Sequence, residues 1–212
     1  MLELVAGKFV SLTPYGAYYA VTEVPEDPVR RLLQAVLVDT GTEPLSDALA
    51  ARWSDNGDTG ATLDLLKRLQ DLAMIQATDL PVAASTAPLE DLLPPLLTPL
   101  SGSGKALLAD PQGFYLAAVG FRHEAAEELA ALSADIATLH TRHARLLANN
   151  LGFSGSSWGL LDPAGASQLG VWPLHVGENR FALAIAGRPR LNQESFALLV
   201  QALARRYAAA AA

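Results

Sequence analysis

Cysteine is missing from the 212-residue sequence, which removes disulfides, thiolate metal sites and cysteine nucleophiles together. Long apolar runs are missing too. Half of the residues are hydrophobic, yet no stretch reaches the roughly 18 uninterrupted apolar residues of a membrane span. Pro94, Pro95 and Pro99 cut the most leucine-rich segment. The opening residues, MLELVAGK, have no basic start, no long apolar stretch and no cleavage site, so a signal peptide is not expected and a soluble cytoplasmic protein is. A basic surplus is the third absence, the net charge being −7. Residues 1–85 hold most of it, with six basic against twelve acidic side chains, a net of −6. A domain so acidic repels phosphate backbones at long range, which counts against nucleic acid as the main partner.

What is present suggests two domains. Asp79–Glu90 (DLPVAASTAPLE) is interrupted by Pro81, Ser85, Thr86 and Pro88 and reads as a linker. The expected boundaries are 1–80, a linker at 81–88, and 89–212. There is no internal repeat, and the terminal alanine run reads as a frayed helix end.

In the first half, Lys8–Val21 reads as a β segment around a Pro14-Tyr15-Gly16 turn. Asp27-Pro28 gives an N-cap with proline at the first helical position. Val29, Leu32, Leu33, Val36 and Leu37 then follow at the spacing of one helical face, up to Gly41. A short helix carries Leu45, Leu49 and Trp53. A third, capped by Asp58 or Thr59, carries Leu63, Leu66 and Leu69, and Met74–Thr78 reads as a strand. Three short helices and a strand, with a β segment nearby, have the layout of a winged helix.

The second half has a different rhythm. Strands are expected at Lys105–Ala109 and Phe114–Val119, joined by Asp110-Pro111-Gln112-Gly113. A long helix follows from about His123 to Asn149, then strands at Ser157–Leu161, Gln168–Val176 and Arg180–Ala186. The last strand alternates large residues (Phe181, Leu183, Ile185) with alanines (Ala182, Ala184, Ala186), and an all-alanine face lets a helix lie close. Asn192 is the expected cap of a final helix, with Phe196, Leu199, Val200, Leu203 and Tyr207 as its buried stripe.

The long helix is the most informative element. Ala125, Leu129, Leu132, Ile136, Leu139, His143 and Leu146 alternate spacings of four and three, a period of 3.5. A mostly small stripe, Ala126, Ala130, Ala137, Ala144 and Leu147, runs beside it. At ~1.5 Å per residue the helix is ~40 Å long, more than the roughly 20 Å width of a five-stranded sheet requires. One stripe can cover the sheet while the other meets a second chain. The alternative is that both stripes face the helix's own core.

The segments KALLADPQGFYLAAVG, EAAEELAALSADIATL, VWPLHVGENRFALAIAG and PRLNQESFALLVQALARRY, in this order, resemble the roadblock/dynein light chain family, over about residues 88–207. That resemblance implies an α-β-β-α-β-β-β-α domain with a five-stranded antiparallel sheet. The whole chain is then α+β, a winged-helix-like module preceding the roadblock-like domain. One departure is the first helix: EDLLPPLLTPLSG holds three prolines, so it must be short or broken. The resemblance also implies a homodimer in which the middle helices pack together and the third strands pair. Carried onto this chain, the interface includes Ile136, Leu139, His140 and His143 on the helix, and Trp158 and Leu160 on the strand. Members of the MglB type bind a small Ras-like GTPase and stimulate its GTP hydrolysis without donating an arginine; others are adaptors in larger complexes. The resemblance therefore implies a non-catalytic, protein-binding scaffold with no cofactor and no metal.

Four motifs were weighed against plainer readings. Gly155-Ser156-Ser157-Trp158-Gly159 fits G-x-S-x-G, but the order helix–serine–strand is the reverse of a nucleophile elbow. His140 and His143 have a metal-ligand spacing without a third ligand at matching depth, so an interface or core role is preferred. Ser101–Lys105 (SGSGK) lacks the first glycine and the final Ser or Thr of a phosphate loop and precedes a strand. A DNA-binding regulator is the alternative function, with Ala61–Leu72 as recognition helix and Thr62, Lys67 and Arg68 as contacts. Its charges are two basic against two acidic, without the surrounding basic footprint such readers carry. Among the tryptophans, Trp158 is the expected interface anchor because it begins the edge strand.

Overall fold

A computed structural model describes residues 7–39, 41–82, 85 and 87–208. The protein is α+β, with a two-stranded sheet and a five-stranded antiparallel sheet. In chain order the elements are β1 (Phe9–Leu12), α1 (Pro14–Val21), α2 (Pro28–Val38), α3 (Asp47–Arg52), α4 (Thr59–Asp71), β2 (Ile75–Thr78), α5 (Leu89–Leu97), β3 (Ala106–Ala109), β4 (Tyr115–Val119), α6 (His123–Arg145), β5 (Trp158–Leu161), β6 (Ser167–Val176), β7 (Asn179–Ala186) and α7 (Glu194–Tyr207). They form two compact units, one within Met1–Ala87, Val176–Glu178 and Asn192–Ala212, the other within Pro88–His175 and Asn179–Leu191. Residues 83, 84 and 86 of the expected linker, and the terminal alanines 209–212, lie outside the described residues.

The first unit contains four helices between its two strands, one more than expected. Pro14-Tyr15-Gly16 is not a turn between β segments but the first turn of α1. Thr13 sits in extended conformation at the N-cap, its hydroxyl oxygen accepting from the Gly16 N–H at 3.2 Å, and Pro14 occupies the first helical position. These two local effects outweigh the β-branched and aromatic composition. Asp27 and Asp58 cap α2 and α4 in the same way, through the N–H groups of Arg30 and Ala61. Leu32, Leu33, Val36 and Leu37 of α2 are buried, as their spacing predicts, and so are Leu66 and Leu69 of α4.

The start of α1 is fastened to the start of β2. The Thr13 hydroxyl donates to the Ala73 carbonyl at 2.7 Å, and the Thr13 N–H donates to the Met74 carbonyl at 3.0 Å. Gly16 has no room for a side chain: a Cβ there would stand 1.9 Å from the Met74 oxygen. At the same junction Ala73 has φ +55°, the one non-glycine residue with positive φ among those described.

The closing helix differs most from expectation. α7 packs against α1 and α2 of the first unit, although the sequence order places it after the second-half sheet. Its stripe is the predicted one. Phe196, Leu199, Val200 and Leu203 are fully buried, roughly 1.5–3 kcal/mol of burial for each large side chain. Gly16, Ala17 and Ala20 keep α1 thin enough for close approach, and Tyr18 meets Phe196 at 6.2 Å between ring centroids. The helix also begins later than predicted. Gln193, not Asn192, is at the N-cap, and it makes no side-chain capping bond.

In the second unit the strand order is β4-β3-β7-β6-β5. All five strands lie within two residues of their predicted bounds. Asp110 closes the β3–β4 loop, its carboxylate accepting from the Gln112 and Phe114 N–H groups, and Gly113 takes φ +88°. One sheet face presents Leu107, Ala109, Ala182, Ala184 and Val171 to Ala126, Leu129 and Ala130 of α6. The alanine face of β7 therefore does receive a helix. The opposite face carries Leu108, Leu183 and Ile185, all fully buried. α5 contacts β3 and β4. It is short, as its prolines require, and Pro94 and Pro95 lie inside it.

Gly16→Ala should cost more than about 3 kcal/mol, because a backbone carbonyl blocks the new methyl group. Ala73→Gly should gain about 0.5–1 kcal/mol, since relief of the left-handed conformation outweighs glycine's chain entropy. Urea titrations of both variants measure these directly; a neutral Gly16→Ala would refute the tight junction.

Candidate functional site

The second unit leaves one side incompletely covered. β5 is a terminal strand of the sheet, so one of its edges has no strand partner. The other sheet end is β4, and the two ends are not alike. In the β3–β4 ladder Leu108 faces Ala117 and Ala109 faces Tyr115, so the extra residue, Leu116, lies on the edge strand itself. In the β5–β6 ladder Leu160 faces Leu169 and Leu161 faces Ser167, so the extra residue, Gln168, lies on the inner strand. A bulge on an edge strand spoils further pairing. β4 is blunted this way and β5 is not.

β5 is also apolar. Leu160 is 60% exposed and Leu161 59%, high for leucines on a regular edge strand. Trp158 and Leu160 stand opposite Val171 and Leu169 and therefore share the face that α6 covers. The Trp158 indole N–H donates to Nδ1 of His140 at 3.2 Å, and the rings meet edge-on at 85°. An accepting Nδ1 puts the neutral imidazole proton on Nε2. Arg180 of β7 adds a second tie, its guanidinium donating to the Thr141 hydroxyl at 3.0 Å. These contacts tie α6 to β5 and to β7.

α6 divides its expected seam between two faces. Ala126, Leu129, Ala130 and Ser133 are buried toward the sheet, and Ile136 packs against the same core. Ile136 thus belongs to the fold of the unit, not to its outer surface. Leu132, Leu139 and Leu146, seven residues apart, are exposed on the other side, with Leu139 at 41%. His143 is exposed among them. The first part of the small stripe, Ala126 and Ala130, faces the sheet, Ala144 is exposed, and the leucines face outward. The helix then ends in a widened π turn, Leu146–Asn150, followed by exposed Leu151 and Phe153.

The remaining sequence candidates have structural explanations. The Ser101 and Ser103 hydroxyls both donate to the Ala186 carbonyl, at 2.7 and 2.9 Å, so the SGSGK loop spends them on the backbone. Ser157 precedes β5 in a coil, without the strand–serine–helix order of a nucleophile elbow. Among the described residues no group of three or more His, Asp or Glu could hold a metal. Thr62 is buried, its hydroxyl donating to the Asp58 carbonyl, which takes it out of any contact surface on α4. Arg68 is exposed and Lys67 half-buried. Trp53 is a core residue bonded to the Asp39 carboxylate. No described helix is long and apolar enough to cross a membrane.

Sequence reasoning missed the contrast between the two sheet edges. The bulges that set it have no sequence mark beyond Gln168, a polar residue in an apolar strand. Compared with known proteins, the chain matches no family model, no curated protein and no solved structure.

His140→Ala removes the acceptor of the Trp158 indole. Amide exchange of Trp158–Leu161 should then accelerate about fivefold, the equivalent of a ~1 kcal/mol hydrogen bond, with a smaller change in global stability. Unchanged exchange there would mean that His140 does not anchor β5.

Proposed function

We propose that the protein is a non-catalytic homodimeric scaffold whose second unit is roadblock-like. The observation that carries this reading is the coincidence of an open, unbulged, apolar edge strand with an exposed leucine stripe on the neighbouring helix. Two copies related by a twofold axis can cover both at once, β5 against β5 and α6 against α6. Leu139, His140, His143, Trp158 and Leu160 are the residues assigned to that interface, with Trp158 as anchor. Within the second unit the order α5-β3-β4-α6-β5-β6-β7 supports the roadblock assignment, being the order that the resemblance implies up to its last helix; α7, which follows it in the chain, belongs to the first unit.

The resemblance also suggests the partner, a small Ras-like GTPase, or otherwise a protein complex in which the dimer is an adaptor. The scaffold acts by holding the partner's switch segments in one conformation. In the first unit, α2, α3 and α4 with the β1–β2 pair are read as a winged-helix-like module for protein contact. A DNA-binding role has little support from α4. With Thr62 buried, its basic pair Lys67 and Arg68 is balanced by Asp64 and Asp71.

Sedimentation at tens of micromolar should give a dimer. Leu139→Glu combined with Leu160→Glu should weaken association at least a hundredfold without unfolding the chain, because each site is exposed in the single subunit. A monomeric wild type would end the reading. Capture of GTP-loaded, GDP-loaded and nucleotide-free Ras-like GTPases from the same cell tests the partner. A preference for one nucleotide state supports it, and no capture in any state counts against it.

A further inference from the structure

The first unit has a partly open pocket of about 260 Å³ between β1, β2, α2 and α7, a little below the roughly 300–1,000 Å³ of small-molecule pockets. Its walls are mixed, the apolar part coming from residues such as Leu12, Val36 and Leu37 of the core and Leu198 of α7. Four polar side chains line it: Ser11, Gln76, Glu194 and Gln201. Ser11 and Gln76 are directly paired across the β1–β2 ladder, and they therefore share one face of the small sheet.

Ser11 in the lining, and Arg205 just outside it, carry polar atoms without partners. The Ser11 hydroxyl is buried and makes no hydrogen bond. Arg205 stands one helical turn beyond Gln201 on α7, and its Nη2 lies 3.5 Å from where a Cβ on the lining residue Gly41 would be. Nη2 donates to the Asp39 carbonyl, while Nε and Nη1 are buried and unpartnered. Burial pushes this guanidinium below its ordinary range, against the opposing pull of Asp39. Leaving such groups unsatisfied is costly, and more so for a charged group than for a neutral one. The Arg205 nitrogens can only donate, whereas the Ser11 hydroxyl can donate or accept, and the positive charge lies on the arginine side. Glu194 is the one carboxylate lining the cavity, and it is exposed in the first turn of α7, where water screens it.

We propose that this cavity binds a small aliphatic carboxylic acid. The hydrocarbon part lies among Leu12, Val36, Leu37 and Leu198. The carboxylate accepts from Ser11 and from the Arg205 side, meeting donors that are otherwise unused.

Sodium octanoate, octylamine hydrochloride and 1-octanol, compared on the full chain by thermal unfolding and titration calorimetry, test this. Saturating octanoate should raise the unfolding midpoint by roughly 2–4 °C, with little effect from the amine or the alcohol. Arg205→Gln should weaken octanoate about tenfold and abolish its preference over octanol. Ser11→Ala removes the orphan hydroxyl, so it should stabilise the ligand-free chain and still weaken octanoate. It therefore keeps the test open if the arginine variant does not fold. Leu198→Trp, which fills the space, should abolish the shift. No shift with octanoate, an equal shift with octylamine, or a shift that survives Leu198→Trp would each overturn the assignment.

Discussion

The second unit depends on how closely α6 can approach the sheet. Ala126 and Ala130 on the helix meet Ala182 and Ala184 on β7, so the contact is made by small side chains along a narrow strip. A thin contact keeps the helix axis near the sheet and uses only part of the helix circumference. The large residues are therefore sorted by angle. Leu129 and Ile136 fall at the margin of the strip and are drawn in, whereas Leu132, Leu139 and Leu146 point away. Had the sheet face been leucine-rich, the helix would stand further off and a wider arc of it would be covered. The uncovered leucine stripe is thus a consequence of the alanines on the opposite side.

The same economy shapes the first unit. α1 is eight residues long, and Gly16, Ala17 and Ala20 make up much of its buried side. It can lie against the β2 start and against α7 together because it has little volume of its own. Asp39 joins several of the neighbouring pieces. Its carboxylate accepts from the Trp53 indole, the Arg52 guanidinium and the Gly41 N–H, while its carbonyl takes Arg205. One residue at the end of α2 thereby gathers α3, α7 and the turn after α2.

Much of this architecture could be read in the sequence, and the exceptions have physical reasons. The strands of the larger sheet were visible because their alternation and turn residues are local signals, as in Asp110-Pro111-Gln112-Gly113. α2 and α4 were visible through cap and stripe together. Lys8–Val21 reads as β because Tyr18, Tyr19 and Val21 carry strand propensity, while the Thr13-Pro14 cap that decides for a helix occupies two residues. The stripe of α7 was correctly identified, but a stripe records that a face is buried and not what buries it, so its partner could not be assigned. The heptad on α6 had the same limit. Its period is real, yet its two heptad positions go to different surfaces, Leu129 and Ile136 to the sheet and Leu132, Leu139 and Leu146 outward, because the narrow alanine strip covers only one of them. Neither the cavity in the first unit nor the unmet donors of Ser11 and Arg205 left any trace in the sequence, since both arise from residues far apart along the chain.

The unequal ends of the larger sheet have a consequence for how far assembly can proceed. A sheet with two serviceable rims could add copies indefinitely and grow into a fibre. Here Leu116 sits as an extra residue on the β4 rim, which makes that end a poor template. Joining two copies through β5 consumes the only regular rim of each, and the product presents bulged strands at both extremities. In the proposed dimer, growth would stop at two, closed by symmetry and by one inserted residue at the far end of the sheet.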